Sequence, residues 1–488
     1  MHLAPDNQLG EVALEAPLER ESGLARKLTS RQMGMIAIGG AIGTGLFLGS
    51  ALAVRTAGPA VILSYMIGAL IALLMMGVLS EMAVAHPTAG SFGLYAEMYI
   101  SPWAGFAVRY TYWACQCIAI GGEATAVATY MKWWFPQPAL WIWVIAASAL
   151  IIGINAFSVR GFGEFEYWFS SIKVTAIVVF IAVGLFELIG FGSRPGPRLT
   201  NFTQHGGFFP MGVKGMWLAM AFVIFSYIGT EVVAVTAGEA KDPQTAIPRA
   251  LRTMVARLIL FYIGAMIVLV GLMPWTDVQP GADITASPFV KVFETIHIPA
   301  AADIMNAVVL TAALSSMNCN LYLCTRTMFS LSRGGYAPAG LGRVRANGVP
   351  VGALIVSSLG ILIAGVVAYL TPNTAYVWLF GIALFGALFV WMMIFITHLF
   401  FRRAWVAKGN APLAVRMIGF PYLTILGAVL VAAILVSTAW VEGMSPALKA
   451  GLPWLAFISI VYWIWMRKPK APAASSGAAA GQTARTIE

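Results

Sequence analysis

The sequence predicts an all-α integral membrane protein with about twelve transmembrane helices, each of roughly 20 residues. Of its 488 residues, 59% are hydrophobic and only 10% are charged, whereas a soluble globular protein carries roughly 25% charged residues. The apolar residues occur in runs of about 20, the length that spans a ~30 Å hydrocarbon core at 1.5 Å per residue. Together these observations exclude a soluble protein.

The predicted spans follow one another along most of the chain. We place them at residues 33–54, 59–84, 103–131, 139–157, 169–191, 213–237, 254–273, 300–331, 351–370, 375–401, 418–440 and 447–465. An even number of spans leaves both termini on the same side of the membrane.

Lysine and arginine are distributed unevenly between the two sides. Counting from a cytoplasmic N-terminus, the inner segments hold Arg20, Arg26, Lys27, Arg31, Arg160, Lys241, Arg249, Arg252, Arg326, Arg333, Arg343, Arg345, Arg402, Arg403, Lys408, Arg416, Arg467, Lys468 and Lys470. The outer segments hold Arg55, Lys132, Arg194, Arg198, Lys214, Lys291 and Lys449. Because these residues stay cytoplasmic beside membrane helices, both termini are predicted to be cytoplasmic. The asymmetry accounts for the net charge of +10, so no nucleic-acid partner is expected.

The two ends of the chain are predicted to be tails, and the four cysteines are predicted to be buried thiols. Residues 1–32 mix acids and bases without an apolar core, which predicts a cytoplasmic tail rather than a cleaved signal peptide. Residues 466–488 are polar and small, which predicts a disordered cytoplasmic tail. The cysteines Cys115, Cys117, Cys319 and Cys324 lie inside apolar spans, away from histidines and carboxylates at ligand spacing. We expect buried free thiols and no metal.

The first span is rich in glycine at its centre. Gly39, Gly40, Gly43 and Gly45 lie where helix propensity is lowest, which predicts a break in the helix. A second interpretation is a small-residue face for helix packing. A nucleotide-binding loop is excluded because no strand precedes it and no lysine follows it.

The sixth span has a similar polar interruption from Ser226 to Glu231. Ile42, Gly43 and Thr44 recur as Ile228, Gly229 and Thr230. The two interruptions fall in the first span of two consecutive five-span units, the position that an inverted repeat with broken helices requires. The sequence therefore predicts a first unit at 33–191 and a second at 213–401, followed by two further helices at 418–465.

Two adjacent broken helices predict a particular kind of ligand. A break exposes unpaired N–H groups at the start of one half-helix and unpaired carbonyls at the end of the other, near the middle of the membrane. The N–H groups suit a carboxylate, and the carbonyls suit an ammonium. An α-amino acid carries both groups close together.

Three charged residues lie inside predicted spans: Glu123, Lys173 and Glu231. Each costs about 2.5 to 3.5 kcal/mol at a helix centre, so each needs a partner or a function. For Glu123 a structural pair and a role in the transport pathway are both open. Lys173 lies one turn into its span, so snorkelling to the cytoplasmic surface is an alternative to a function. Glu231 has no short route to water and directly follows the predicted break, which favours a function.

Other functional classes have little support in the sequence. No nucleophile, base and orienting group occur together, so neither an enzyme nor a cofactor is predicted. A channel would need a continuous polar lining, and a nutrient sensor would need a signalling domain or long tail. The spans and tails provide neither of these.

Four motifs resemble the amino acid/polyamine/organocation superfamily, and within it the bacterial amino acid permeases. They are GGAIGTGLFLG at 39–49, AGP at 57–59 with SEMAVAHPTAGSF at 80–92, SVRGFGEFEYWFSSIKV at 158–174, and GTEVVAVTAGEAKDPQTAIPRA at 229–250. The resemblance runs from about Leu28 to Arg403. One departure is Ser80, where the family usually has Gly or Ala.

The resemblance implies a five-plus-five inverted repeat with broken helices 1 and 6 and two additional C-terminal helices. It implies that N–H groups around Gly43, Thr44 and Gly45 bind the substrate carboxylate. Carbonyls near Ala41, Phe225, Ser226 and Ile228, at the break that includes Gly229, would bind the amine, with Phe225 as an aromatic gate.

The resemblance also implies a coupling mechanism. Lys173 matches a lysine that in proton-coupled relatives stands where sodium-coupled ones bind an ion. Glu231, Glu239 and Glu123 match acidic positions of related permeases. The expected function is proton-coupled import of neutral amino acids across the cytoplasmic membrane, with the amino acid, protons and membrane lipid as partners. An amino-acid exchanger is the alternative.

Overall fold

Every regular element in the described part of the chain is a helix, which confirms the all-α prediction. The computed structural model describes residues 29–47, 49–157, 159–190, 198–236, 239, 243–278, 288–295, 300–371, 375–411, 413 and 415–466. The predicted tails lie outside these ranges, apart from residues 29–32 and 466. The first helix begins at Ser30, slightly before the predicted start of its span at 33.

The first half of the chain contains eight α-helices among the described residues, and the first break lies between the first two of them. They are α1 Ser30–Ala41, α2 Thr44–Phe47, α3 Gly49–Ala57, α4 Val61–Ala85, α5 Ser91–Tyr99, α6 Pro102–Trp134, α7 Leu140–Phe157 and α8 Val159–Ile189. Local sequence explains the start of α6. Pro102 takes the first helical position, and Ser101 Oγ accepts a hydrogen bond from the Ala104 N–H at 3.2 Å.

The second half contains the other break and the remaining helices. They are α9 Gly212–Leu218, α10 Met220–Tyr227, α11 Val232–Thr236, α12 Pro243–Leu272, α13 Pro288–Thr295, α14 Ala301–Arg333, α15 Val351–Ser357, α16 Leu359–Leu370, α17 Ala375–Ala407, α18 Tyr422–Ser437 and α19 Ser445–Val461. Each of the predicted spans overlaps at least one of the helices of the two halves.

Among the described residues, eight helical segments are long and apolar enough to cross a membrane. They are Thr44–Ala85, Leu140–Phe157, Gly161–Ile189, Gly212–Thr236, Asp303–Arg333, Trp378–Ala407, Tyr422–Trp440 and Ser445–Met466. Two shorter apolar helices, Ile259–Leu272 and Val351–Val367, accompany them. The multi-span architecture is therefore confirmed, while the count of twelve and the inverted repeat stay predictions.

The interior of the helical assembly is built around α6. This helix packs against α14, α16 and α17, and α14 in turn packs against α8 and α1. Both broken helices meet this group, because α1, α2 and α11 all contact α14. The two broken helices also contact each other, where α2 and α3 pack against α10. The arrangement brings the first break to the charged side chains of Glu123 on α6 and Lys173 on α8, and to polar side chains on α14.

Candidate functional site

The first helix breaks where its glycines are concentrated. α1 ends at Ala41, Ile42 and Gly43 are not helical, and α2 begins at Thr44. A β-carbon on Gly43 would lie 2.7 Å from Ser316 Oγ, so only glycine lets α14 approach the chain this closely. The predicted break is confirmed.

The sixth predicted span breaks after Tyr227, where α10 ends. Ile228 is extended, and Gly229 has φ of +100°, a left-handed conformation that strongly favours glycine. Helix resumes at Val232. The second predicted break is therefore confirmed as well.

The two breaks lie against each other. A β-carbon on Gly45 would be 3.0 Å from Phe225 Cδ1 and 3.1 Å from Ser226 Cα, and one on Gly40 would be 3.3 Å from the Gly229 carbonyl oxygen. The backbones of the interrupted helices are thus in direct contact. The prediction that the breaks are adjacent in space is confirmed.

A cavity of about 20 Å³ lies beside the breaks, enough for about one water molecule. Its wall combines glycine backbone, polar groups and small or apolar side chains: Gly40, Gly43, Gly45, Cys115, Gln116, Ala119, Glu123, Phe225, Ile228, Ser316, Asn320, Ala383 and Ala387. The Phe225 ring covers one side, with its centroid 3.9 Å from that of Phe380. The cavity has to widen before it holds an amino acid.

The predicted binding residues divide into two groups around this cavity. Gly43, Gly45, Phe225, Ile228 and Glu123 line it. A second group of predicted residues belongs to the same two breaks or to neighbouring helices without lining it: Ala41, Thr44, Ser226, Gly229, Lys173 and Glu231.

Two of the predicted amine-binding carbonyls already accept hydrogen bonds. Phe225 O accepts from the Ile228 N–H at 3.1 Å, and Ser226 O accepts from the Tyr262 hydroxyl at 2.7 Å. A carbonyl oxygen has two lone pairs, so each retains the capacity for one more donor.

Glu123 on α6 is buried and reaches α14. Its Oε1 accepts from Ser316 Oγ at 2.7 Å and would lie 3.3 Å from a β-carbon on Gly43. Its Oε2 has no hydrogen bond of standard geometry among the described residues, although Thr44 lies close to the carboxylate. A carboxylate therefore stands directly beside the backbone of the first break.

Lys173 on α8 is fully buried, so the snorkelling alternative is wrong. Its Nζ donates to the Ile42 carbonyl at 3.0 Å and to Ser315 Oγ at 2.9 Å. The helix runs from Val159, well before the predicted span start at 169, which places Lys173 deep inside. The ammonium thus binds a carbonyl that the first break leaves open.

Glu166 is a functional candidate that the sequence interpretation missed. It is fully buried on α8, and its Oε1 lies 4.0 Å from Lys173 Nζ. The same carboxylate accepts from Ser315 Oγ, and from Asn318 Nδ2 at 3.2 Å. Glu166 and Lys173 are seven residues apart, about two helical turns, so the sequence could have indicated that they lie on the same face of the helix. Placing the span start at 169 left Glu166 outside the membrane and hid that signal.

Glu231 is fully buried at the second break, as predicted. Its Oε2 accepts from the Gly229 N–H at 3.0 Å and from Trp391 Nε1 at 3.3 Å, and its Oε1 accepts from the Tyr112 hydroxyl at 3.0 Å. The carboxylate thus ties the break to α6 and α17.

Glu239 has a structural partner, and the four cysteines are buried thiols. Glu239 forms a buried ion pair with Arg326, whose Nε lies 2.7 Å from Glu239 Oε1. Arg326 is therefore buried inside α14. The sequence analysis assigned it to a cytoplasmic segment between spans, and that assignment is wrong. All four cysteines are buried and free, as predicted.

Known amino acid transporters resemble this chain over nearly its full length. The family model described as amino acid permease matches residues 32–473. The gamma-aminobutyric acid permease of Bacillus subtilis (strain 168) is 40% identical over 428 residues, which cover 87% of this chain and 90% of that protein. A putative histidine permease of the same strain is 40% identical over 446 residues, covering 90% and 93%. The aromatic amino acid transport protein AroP of Escherichia coli (strain K12) is 38% identical over 448 residues, covering 92% and 97%.

Proposed function

Because the chain belongs to the amino acid permease family, we propose that it imports neutral amino acids across the cytoplasmic membrane by proton symport. Transport of amino acids follows from the family. The neutral character of the substrate and the coupling to protons go beyond the family and are proposed here. The observation that carries it is the contact between the buried Lys173 ammonium and the Ile42 carbonyl at the first break.

The substrate binds between the two breaks. Its carboxylate accepts from the N–H groups of Gly43, Thr44 and Gly45 at the start of α2, where a helix has no preceding carbonyls to accept from these groups. Its amine donates to carbonyls around Ala41, Phe225, Ser226 and Ile228. The close packing of Gly45 on Ser226 supports this site, because it places both sets of backbone groups within a single ligand's reach.

A neutral side chain fits the rest of the cavity. Ala119, Ala383 and Ala387 provide apolar surface, and Gln116 and Asn320 provide uncharged polar groups. Gln116 Nε2 has no hydrogen bond of standard geometry among the described residues, with the Tyr112 hydroxyl as its near neighbour. The relatives' names include gamma-aminobutyric acid, histidine and aromatic amino acids, so they leave the individual substrate open.

Lys173 takes the place of a transported cation. A mobile sodium ion would bind carbonyl oxygens at the break and add positive charge there. Lys173 already supplies that charge at the Ile42 carbonyl, with Glu166 at 4.0 Å as its counter-charge. A fixed ammonium does not cross the membrane, so the movable positive charge is the proton that it and its carboxylate partners exchange.

Glu123 links this proton to the substrate. A substrate carboxylate at Gly43 would lie beside the Glu123 carboxylate, and two negative charges repel strongly in a buried place. The loaded site is therefore most stable when Glu123 carries a proton. Glu231 is the second acidic candidate, because its hydrogen bonds hold the other break and change when that break moves.

Uptake into proteoliposomes tests this function. A panel of labelled neutral, acidic and basic amino acids is offered under an imposed proton gradient, with or without a protonophore, and then under a sodium gradient. We expect accumulation of neutral amino acids that the protonophore abolishes and that sodium does not drive. Counterflow in the same vesicles without net proton-driven uptake would instead establish the exchanger.

A further inference from the structure

A second cavity, separate from the transport site, lies at the end of α17 and the segment that leads to α18. Its volume is about 740 Å³. Three arginines, Arg402, Arg403 and Arg416, line it together with apolar residues such as Val406 and Ile418. No acidic residue is among the described residues of its wall.

The inner wall of this cavity is held by a buried carboxylate on α4. Glu81 pairs with Arg402 through Nη1, lies 3.1 Å from His398 Nε2, and accepts from the Met417 N–H at 2.8 Å. The Arg402 guanidinium also lies 5.2 Å above the Phe420 ring. The negative charge of Glu81 is therefore directed into the protein, where it neutralises Arg402.

The outer rim combines positive charge with exposed apolar surface. Arg403 and Arg416 are exposed, and beside them Val406 is 64% exposed and Ile418 is 84% exposed. The apolar run of α17 ends near residue 401, so the arginines stand where the hydrocarbon core gives way to the headgroup region. By the distribution of Lys and Arg, this is the cytoplasmic face.

We propose that this cavity binds an anionic phospholipid of the cytoplasmic leaflet. Its phosphate lies between Arg403 and Arg416, whose planar guanidinium groups match phosphate oxygens. Its acyl chains lie along Val406 and Ile418. Basic pockets at the cytoplasmic ends of membrane helices bind anionic headgroups in this way. The proposal rests on membrane orientation and is independent of which solute is transported.

The bound lipid has a structural consequence. Arg402 and Met417 belong to α17 and the segment after it, whereas Glu81 belongs to α4 in the first half of the chain. A headgroup beside these residues strengthens the joint between the two halves. We therefore expect anionic phospholipid to stabilise the whole protein, while zwitterionic phospholipid does not.

Native mass spectrometry of the purified full chain tests the site. The protein is titrated with phosphatidylglycerol, phosphatidylcholine and, separately, inorganic phosphate. The double variant Arg403→Gln/Arg416→Gln is compared with Arg343→Gln/Arg345→Gln, which removes two exposed arginines of the same predicted face outside the cavity. We expect phosphatidylglycerol binding to weaken by roughly thirtyfold in the first variant, from two lost surface charges, and to stay near the wild-type value in the second.

Three results would overturn the proposal. Equal weakening in both double variants would indicate general attraction to basic surface. Equal binding of phosphatidylglycerol and phosphatidylcholine would remove the role of headgroup charge. Binding of inorganic phosphate as tight as that of phosphatidylglycerol would assign the cavity to a free anion. The melting temperature with and without phosphatidylglycerol provides a second readout, and it should rise in wild type and in the control variant only.

Discussion

Replacing Glu166 while Lys173 remains is expected to destabilise the protein. Both side chains are fully buried, and their charged atoms lie 4.0 Å apart. Breaking one half of a buried ion pair typically costs about 3–5 kcal/mol, because the other charge stays in a low-dielectric interior. Glu166→Gln keeps the volume, its amide oxygen can still accept from Asn318 Nδ2, and its amide nitrogen can donate to Ser315 Oγ. Ile42 still accepts from Lys173. We therefore expect Glu166→Gln to lower the free energy of unfolding by about 3 kcal/mol, the lower end of that range.

A double-mutant cycle isolates the ion pair from the loss of packing. Lys173→Met/Glu166→Gln removes both charges at nearly constant volume, and such replacements of buried pairs are often close to neutral. We expect the double variant to be more stable than either single variant, with a coupling of about 2 kcal/mol or more. Unfolding in detergent micelles, followed by the fluorescence of the 16 tryptophans, measures all four proteins. Additive single effects would refute the idea that these two residues act as a pair.

The other predictions concern the breaks and one histidine. Gly43→Leu should abolish uptake in a normally inserted protein, because even a β-carbon there would lie 2.7 Å from Ser316 Oγ; wild-type uptake would contradict the broken-helix site. Glu231→Gln should keep exchange but flatten the pH dependence of net uptake, and an unchanged pH profile would remove Glu231 from coupling. His86 follows the membrane span, and burial together with the charge of Lys408 lowers its pKa from 6.5 to about 4. Unfolding therefore takes up a proton between these values, so stability should fall as pH drops from 6.5 towards 4, and His86→Gln should remove that part of the loss.

Local sequence was sufficient to predict the breaks. Gly229 has a positive φ, and Gly45 packs too closely on Phe225 and Ser226 for a side chain. Both conditions favour glycine, which can be recognised in the sequence. The same residue type is not sufficient by itself, because Gly121 and Gly122 lie inside the continuous helix α6. The fold class followed in the same way from the length and apolarity of the runs.

Most partners of the buried charges could not be predicted, because they come from distant parts of the chain, whereas Glu166 lies only seven residues from Lys173. Glu231 accepts hydrogen bonds from the side chains of Tyr112 and Trp391, which lie more than 100 residues away on either side. Glu166 was missed because helix α8 extends further than its apolar run. A buried partner offsets the desolvation free energy of a charged residue, so a helix can continue into the membrane past such a residue. A prediction from hydropathy alone therefore ends the span too early.

A proton flux caused by the substrate itself would be the most direct sign of the proposed coupling. Proteoliposomes with a trapped pH-sensitive dye receive a neutral amino acid from outside, in sodium-free buffer, with wild type and Lys173→Met compared side by side. We predict that the lumen acidifies with wild type, and that Lys173→Met still binds the amino acid but gives no acidification. Acidification that persists in Lys173→Met, or substrate entry that requires sodium and moves no protons, would contradict the proposed coupling.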